Sequence, residues 1–197
     1  MVSAAVELPP SHQREYRKRY LSQYYLKCKI EAFNAYGKVI CCLCNENRIK
    51  SLSIDHINQD GCKQRKQQYR RTGVNLYAWL RKMGYPSGFR VLCSNCNWLA
   101  YLEHKDKTML LSQTNDAIKQ RKTFIKLKKK IINILGNKCV ICGKNDIRIL
   151  TIHHVDFNGS DHRRAAAKFG WLKYYRTILQ TDLAGLECRC FSCNDGA

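Results

Sequence analysis

The chain has 197 residues, with 35 lysines and arginines against 15 aspartates and glutamates, so its formal net charge is +20. Its 45% hydrophobic content and mean hydropathy of −0.46 are typical of globular proteins, and no apolar run approaches the roughly 18 residues of a membrane span. Such an excess of positive charge favours a polyanionic partner, nucleic acid before an anionic membrane surface.

The amino-terminal segment lacks an uninterrupted apolar run and contains Glu7 and Glu15. We therefore expect neither a secretory signal nor a transit peptide. The predicted location is an intracellular reducing compartment, the cytoplasm or an organelle matrix, with no membrane partner.

Two long basic helices are predicted, over residues 11–35 and 116–135. Both stretches lack glycine and proline and repeat apolar residues at helical spacing. Gly37 and Gly136 follow them at positions where a helix would end. Each helix thus leads into a segment that contains cysteines.

Eight of the twelve cysteines form four Cys-x-x-Cys pairs, which begin at Cys41, Cys93, Cys139 and Cys190. The first and third pairs are 98 residues apart, and the second and fourth are 97 apart. Residues 52–61 also match residues 150–159 in pattern, so the chain is a tandem repeat with predicted modules at 1–110 and 111–197. Both repeats are basic, with net charges of +11 over residues 1–98 and +9 over residues 99–197.

Two Cys-x-x-Cys turns supply the four thiolates of one tetrahedral zinc site, and in a reducing compartment such pairs favour metal over disulfides. We therefore predict two structural zinc ions, one in each repeat. The predicted ligands are Cys41, Cys44, Cys93 and Cys96 for the first ion, and Cys139, Cys142, Cys190 and Cys193 for the second. No role is predicted for the remaining cysteines, Cys28, Cys42, Cys62 and Cys188.

Between the pairs of each repeat lies a segment rich in β-branched residues, at 49–57 and 147–155, which predicts a strand or a hairpin ending in a tight Asp-Gly or Asn-Gly turn. Short helices are predicted at residues 64–71, 76–83, 162–169 and 171–179. The predicted fold class is therefore α+β, with two tandem zinc-stapled modules, each preceded by a basic helix.

The order of Cys-x-x-Cys, apolar strand with Asp55-His56, Asp-Gly turn and Cys-x-x-Cys-Asn97 resembles the zinc-knuckle branch of the HNH endonuclease family. The resemblance covers roughly residues 37–104 and 136–194 and implies the ββα-metal fold in both modules. It implies that Asp55 and Asn97 hold a catalytic divalent ion, Mg²⁺ or Mn²⁺, with His56 as general base. In the second module it implies the ligands His153 and Asn194, with His154 as base.

The resemblance implies a metal-dependent endonuclease that hydrolyses phosphodiester bonds. We expect the first module to be the active one, because the second ends soon after Asn194 and leaves no helix to hold that residue. The alternative is a catalytically inactive, HNH-derived RNA-binding subunit of a ribonucleoprotein such as a ribosome. The asparagine that the family carries shortly before the second pair has no evident counterpart here, which favours this alternative.

The nucleic-acid partner, DNA or RNA, is predicted to contact basic residues clustered on the predicted helices, because lysine and arginine neutralise backbone phosphates. The predicted contacts are Arg17, Lys18, Arg19, Arg65, Lys66, Arg70, Arg71, Arg121, Lys122, Lys128, Lys129, Lys130, Arg163 and Arg164.

Overall fold

The computed structural model describes residues 10–63, 74–109, 114–156, 159, 161, 164, 170–180 and 183–195. The predicted helix at 64–71 lies outside these residues, as does most of the predicted helix at 162–169.

The first repeat begins with the predicted long helix and places a strand on each side of a shorter helix. Its elements are α1 (Pro10–Ala35), a 3₁₀ turn (Ile49–Ser51), β1 (Leu52–His56), α2 (Val74–Lys82), β2 (Phe89–Cys93) and α3 (Ser94–Met109). The helix α1 ends before Gly37, whose φ of 138° is readily adopted only by glycine.

The second repeat has the same order of elements. They are α4 (Asn115–Ile134), β3 (Leu150–His154), α5 (Trp171–Gln180), β4 (Leu186–Cys190) and α6 (Phe191–Asp195). Thr114 caps α4 by accepting a hydrogen bond from the Ala117 N–H, and Gly136, with a φ of 91°, follows its end. Both long helices predicted from the sequence are therefore present within one residue of their expected limits.

The strands form two separate two-stranded sheets, β1 with β2 and β3 with β4. In the second sheet the strands are antiparallel, with Leu150 opposite Cys190 and His154 opposite Leu186. The hairpin alternative for residues 49–57 and 147–155 is wrong, because each strand pairs with one that starts more than 30 residues later. Local composition favoured strands correctly but could not identify their partners.

The chain folds into two compact units. Unit 1 consists of Met1–Ile40 and Ile54–Val91, and unit 2 consists of Cys41–Ser53 and Leu92–Ala197. The predicted boundary near residue 110 describes the duplication of the sequence and stays a prediction. All eight cysteines of the four Cys-x-x-Cys pairs belong to unit 2.

The core of unit 1 forms where α1 packs against α2. Phe33 and Leu80 are fully buried, and the Tyr77 ring meets the rings of Phe33 and Tyr25 edge to face at 6.1 and 5.6 Å. This edge-to-face packing is the arrangement that aromatic quadrupoles favour.

The core of unit 2 includes cysteines of the second repeat. Buried Ile132 of α4 and Leu150 of β3 cluster with Cys139, Cys188 and Cys193. Cys139 and Cys193 belong to the second predicted zinc site, whereas Cys188 does not, so a metal ion at that site is part of the hydrophobic core and not an addition to its surface. Among the described residues, no helix is long and apolar enough to cross a bilayer.

Candidate metal centres and their surroundings

The first cysteine quartet comprises Cys41, Cys44, Cys93 and Cys96, whose sulfur atoms all lie within 4.8 Å of one another. The Cys44 and Cys93 sulfurs are 3.5 Å apart. Tetrahedral zinc with Zn–S bonds of about 2.3 Å separates its sulfurs by about 3.8 Å. The quartet is therefore compatible with one structural zinc ion.

The second quartet comprises Cys139, Cys142, Cys190 and Cys193 and meets the same 4.8 Å limit. Its Cys142 and Cys190 sulfurs are 3.7 Å apart. In both quartets three cysteines are buried and the last cysteine of the first pair is exposed. Both predicted groups of four cysteines are thus brought together in an arrangement that fits zinc.

The first pair of each quartet lies in a tight turn. In the first repeat the Cys41 N–H donates to the Glu46 carbonyl, and the Asn45 N–H donates back to the Cys41 carbonyl at 3.0 Å. The second repeat copies this pattern with Lys144 and Gly143. Asn45 and Gly143 have φ values of 60° and 73°, a conformation that asparagine and glycine tolerate best.

The second pair of each quartet lies at a junction between strand and helix. Cys93 ends β2 and Cys96 lies in the first turn of α3, while Cys190 and Cys193 hold the same positions at the start of α6. The strand and the helix therefore orient the two sulfurs independently of the turn that carries the first pair.

Burial opposes ionisation of several of these thiols. It raises the pKa of the buried Cys96, and it raises the pKa of Cys193 to about 12. Burial also acts to raise the pKa of Cys139, but backbone N–H groups of Cys190 and Cys142 outweigh it and lower that pKa to about 6. Because zinc binds thiolates, metal binding must displace protons from the buried thiols.

The two repeats contact each other directly within unit 2. The Asn95 N–H donates to Ser192 Oγ at 3.3 Å, and the Ser192 N–H donates to Asn95 Oδ1 at 3.1 Å. Asn95 Nδ2 also lies 3.3 Å from Cys190 Sγ. The Arg48 guanidinium donates to Cys193 Sγ at 3.4 and 3.5 Å. Side chains of the first repeat therefore contact two sulfurs of the second quartet.

Asp55, a predicted catalytic metal ligand, is 7% exposed and already has protein partners. Arg90 Nε donates to its carboxylate at 2.8 Å, and Gln59 Nε2 donates at 3.3 Å. The other predicted ligand of the first repeat, Asn97, donates from Nδ2 to Ser53 Oγ at 3.2 Å. The Arg90 guanidinium thus pairs with the negative charge of Asp55, and the role of Asp55 as a metal ligand stays a prediction.

His56, the predicted base of the first repeat, is partly exposed. Its ring lies 4.7 Å from the Phe89 ring, measured between centroids. The predicted tight turn at Asp60-Gly61 is wrong, because Gly61 begins a helical stretch and the turn lies at residues 57–59. Gly61 lies so close to the imidazole that a Cβ added to it would be 2.9 Å from His56 Nδ1. The glycine therefore allows the backbone to pass directly over the imidazole.

The second repeat brings its predicted ligand pair together. His153 Nδ1 and Asn194 Oδ1 are 2.7 Å apart, and His153 is 8% exposed. The expectation that no helix would hold Asn194 is wrong, since Asn194 lies in the short helix α6. Strand pairing places His153 opposite Glu187, and the five residues of α6 carry Asn194 back along the sheet to reach it.

The predicted base of the second repeat, His154, has an aromatic partner. The Tyr174 hydroxyl lies 3.3 Å from His154 Nε2. As in the first repeat, the glycine predicted to lie in a turn is instead helical, and it covers the imidazole, because a Cβ at Gly159 would lie 3.0 Å from His154 Nδ1. The close approach of a glycine to the strand histidine is thus a shared feature of both repeats.

The exposed face of α4 is strongly basic. At 100° per residue, five exposed lysines fall within an arc of about 100° and span about 17 Å along the axis. We call this set the lysine face: Lys119, Lys122, Lys126, Lys129 and Lys130. Within the described part of the chain, none of the five forms an ion pair with an acidic side chain.

Other predicted nucleic-acid contacts differ in their surroundings. Lys128 lies on the opposite face of α4, where its Nζ donates to the Ile147 carbonyl at 3.2 Å and burial lowers its pKa. Arg121 is partly exposed, and Arg164 is exposed and lies 3.5 Å from Asp161. The side chains or whole residues of the remaining contacts lie outside the described part, namely Arg17, Lys18, Arg19, Arg65, Lys66, Arg70, Arg71 and Arg163.

All twelve cysteines lie within the described residues, and none of them forms a disulfide. This observation is compatible with a reducing compartment. Of the four without a predicted role, Cys28 and Cys188 are buried, whereas Cys42 and Cys62 are exposed.

Several structural residues escaped the sequence analysis. Arg90 gave no local signal, because its partner Asp55 lies on another strand. The contacts of Arg48 and Asn95 were also hidden, since they join different repeats. Gly61 and Gly159 did carry a signal, because they occupy the same place in both repeats, 98 residues apart.

Comparisons of the chain with models of protein families, with curated proteins and with solved structures give no match.

Proposed function

We propose that this protein is a zinc-stapled, HNH-like nucleic-acid-binding protein and that the lysine face of α4 contacts the phosphate backbone. The observation that carries the proposal is the concentration on one side of a helix of five exposed lysines, for which the described part of the chain shows no acidic partner. In the described part of α4, Asp116 is the only acidic residue, and it lies in the first turn. Repulsion among these lysines costs free energy that a polyanion would recover.

The opposite side of α4 anchors it to unit 2. Ile131 and Ile132 are fully buried, and Lys128 is bonded to the Ile147 carbonyl. The lysines are therefore presented from a helix that is fixed next to the second cysteine quartet. A rigid, charged helix loses little conformational entropy when it binds phosphates.

The experiment measures binding to labelled single-stranded and duplex DNA and RNA by fluorescence anisotropy over a series of salt concentrations. We use a triple variant with the substitutions Lys122→Gln, Lys126→Gln and Lys129→Gln. It should reduce the magnitude of the slope of log K against the logarithm of salt concentration by about 2 to 3, since each phosphate contact contributes about 0.7 to 0.9. A triple control variant removes the same total charge from exposed lysines outside α4, through the substitutions Lys38→Gln, Lys50→Gln and Lys82→Gln.

If the lysine face is the binding surface, the control variant should bind more tightly than the α4 variant at every salt concentration. Equal weakening of binding in both variants would attribute the effect to net charge alone and would contradict the proposal. Failure of the wild type to bind any of the four nucleic acids would also contradict it. The RNA samples test the predicted role as an RNA-binding subunit of a ribonucleoprotein.

A second candidate function is phosphodiester hydrolysis in the second repeat. The contact between His153 and Asn194 favours it, because adjacent oxygen and nitrogen ligands of an octahedral ion lie about 3 Å apart. A divalent ion there would polarise a phosphodiester as a Lewis acid. His154 would accept a proton from water through its imidazole, with Tyr174 orienting that ring.

The first repeat is the weaker candidate for catalysis, because Arg90 already occupies the Asp55 carboxylate. The test incubates supercoiled plasmid and structured RNA with the protein and Mg²⁺ or Mn²⁺. Hydrolysis in the second repeat predicts cleavage that His154→Ala abolishes and His56→Ala preserves. Intact substrates with the wild type would leave binding without catalysis as the function.

A further inference from the structure

The second cysteine quartet receives hydrogen bonds from side chains that belong to the first repeat. Arg48 reaches Cys193 Sγ with both terminal nitrogens, at 3.4 and 3.5 Å, and Asn95 Nδ2 reaches Cys190 Sγ at 3.3 Å. These donors lie 145 and 95 residues from their acceptors along the chain. The surroundings of the second quartet are therefore built by both repeats.

These donors oppose a specific electrostatic cost. A zinc ion with four thiolates carries a formal charge of −2, and Cys190 and Cys193 are 0% and 2% exposed. Burial of that charge is unfavourable unless neighbouring groups donate hydrogen bonds to the sulfurs. A guanidinium donor supplies both a hydrogen bond and a compensating positive charge.

Arg48 is held in position by Glu46. Arg48 Nε and NH2 donate to the two oxygens of the Glu46 carboxylate at 2.8 and 2.7 Å. This bidentate pair orients the guanidinium before any metal binds. Arg48 is itself exposed, so its hydrogen bonds to the sulfur are not a side effect of packing in the core.

The second repeat contains a similar pair that serves as an internal comparison. Arg148 binds the Asp146 carboxylate at 2.7 and 3.1 Å, but within the described residues its side chain is not seen to contact a quartet sulfur. The local pairing of acid and arginine is thus repeated, whereas the donation to sulfur is found with Arg48. The contact with Cys193 is not a general property of this turn.

Asn95 is fixed even more tightly. It is 3% exposed, and its N–H and Oδ1 are both bonded to Ser192, which is fully buried. With these groups engaged, Nδ2 is directed at Cys190. Mutation of groups that orient metal ligands typically costs 10- to 100-fold in metal affinity.

We propose that Arg48 and Asn95 of the first repeat are positioning residues of the second quartet, which retains its zinc through their hydrogen bonds to Cys193 and Cys190. The second repeat is then not an independent metal module, and duplication has made its metal site dependent on its neighbour. The proposal rests on the compatibility of the quartets with zinc, and nucleic-acid binding does not enter it.

The experiment measures zinc release from each quartet separately in the full chain. Zinc-loaded protein is exposed to excess EDTA for set times, its released thiols are alkylated, and peptide mass spectrometry identifies which cysteines have reacted. The variants are Arg48→Ala, Arg48→Lys, Asn95→Ala and Asn95→Asp. Arg148→Ala is the matched control, because it breaks the equivalent surface pair without removing a donor to sulfur.

We expect Arg48→Ala and Asn95→Ala each to accelerate zinc loss from the second quartet by about 10-fold or more, with the first quartet changed by less than about 2-fold. Arg48→Lys should restore part of the retention, since it keeps a charged donor. Asn95→Asp should not restore retention, because it replaces the N–H donor with an oxygen that faces the sulfur. Arg148→Ala should match the wild type.

Four results would overturn the proposal. The first is unchanged release in both alanine variants, and the second is an equal effect of Arg148→Ala. The third is equal acceleration at both quartets, which would indicate general loss of folding. If Asn95→Ala does not fold, the exposed Arg48 variants decide the question alone, and a wild type with no metal in the second quartet would also overturn it.

Discussion

Asn95 and Ser192 occupy the same position in the two repeats and hydrogen-bond each other in both directions, at 3.3 and 3.1 Å. Each is the third residue of the second Cys-x-x-Cys pair of its repeat. Equivalent surfaces that contact each other in this self-complementary way are typical of twofold dimers. The two repeats of one chain therefore form the kind of contact that two separate copies would form by dimerisation.

Around this contact the repeats share further groups. The Trp98 ring packs against Phe191 with 5.4 Å between centroids, and its indole N–H donates to the Arg148 carbonyl at 3.0 Å. These residues lie on or next to the helices that carry the second pairs. The shared packing explains why both quartets belong to a single compact unit.

Loss of a buried quartet cysteine should destabilise unit 2. We expect Cys96→Ser and Cys190→Ser each to lower the thermal midpoint and to reduce its increase on zinc addition, because the metal-binding free energy of one quartet contributes to folding. Cys42→Ser is the matched control, since Cys42 is exposed and lies outside the quartets. Circular dichroism melts with and without zinc provide the measurement, and equal behaviour of all three variants would be inconsistent with the zinc assignment.

The two glycines that cover the strand histidines, Gly61 and Gly159, should be sensitive to addition of a single methyl group. Gly61→Ala places Cβ about 2.9 Å from His56 Nδ1, closer than such atoms approach in folded proteins. We expect it to destabilise the protein by about 1 to 3 kcal/mol, as overpacking does. Denaturant melts of Gly61→Ala, His56→Ala and the double variant measure this free energy of unfolding.

In that double-mutant cycle, removal of the imidazole should recover most of the loss caused by the alanine. If Gly61→Ala lowers the free energy of unfolding by the same amount with and without His56, the contact with the imidazole is not the cause of the loss. The same cycle applies to Gly159 and His154, where the corresponding distance is 3.0 Å.

Asp55 should behave as a structural residue and not as a metal ligand. Asp55→Asn removes the charge paired with Arg90 at 2.8 Å and should cost about 1 to 3 kcal/mol of stability. Arg90→Met in the same background should cost less than in the wild type, because the pair is already broken. Isothermal titration with Mn²⁺ distinguishes the two roles, since loss of a Mn²⁺ site in Asp55→Asn would identify a metal ligand.

Zinc affinity of the second quartet should fall as the pH falls. Burial raises the pKa of Cys193 to about 12, so this thiol is protonated near neutral pH without metal and must release its proton to zinc. Because the thiolate is the binding form and its fraction grows until about pH 12, each such proton makes the apparent affinity rise about tenfold per pH unit. Cys139, with a pKa of about 6, contributes little above that pH.

Zinc titrations near pH 6, 7 and 8, in buffers with different ionisation enthalpies, count the protons released. A pH-independent affinity over this range would contradict the ionisation states assigned to the quartet.

The sequence predicted those features that depend on local pattern or on repetition. Glycine-free amphipathic stretches indicated the helices at Pro10–Ala35 and Asn115–Ile134, because helical periodicity is a local property. Matched spacing indicated the cysteine quartets, since each pair is a turn with a fixed ligand geometry. These predictions needed no knowledge of tertiary contacts.

Features that depend on the pairing of distant segments were not predictable in this way. The pattern around Asp55 suited a metal ligand, yet the partner strand places Arg90 on its carboxylate. The absence of a long helix signal around Asn194 suggested a residue without support, yet the five helical residues of α6 bring it to His153. In both cases one polar side chain from elsewhere in the fold determines what the local motif contacts.

Zinc stoichiometry tests the central claim, that two cysteine quartets hold the tandem repeat together, most directly. Native mass spectrometry of protein purified under reducing conditions should show two zinc ions per chain, and Cys96→Ser and Cys190→Ser should each remove one. A chain that folds with one zinc ion or none, or a cysteine variant that keeps both ions, would contradict the account.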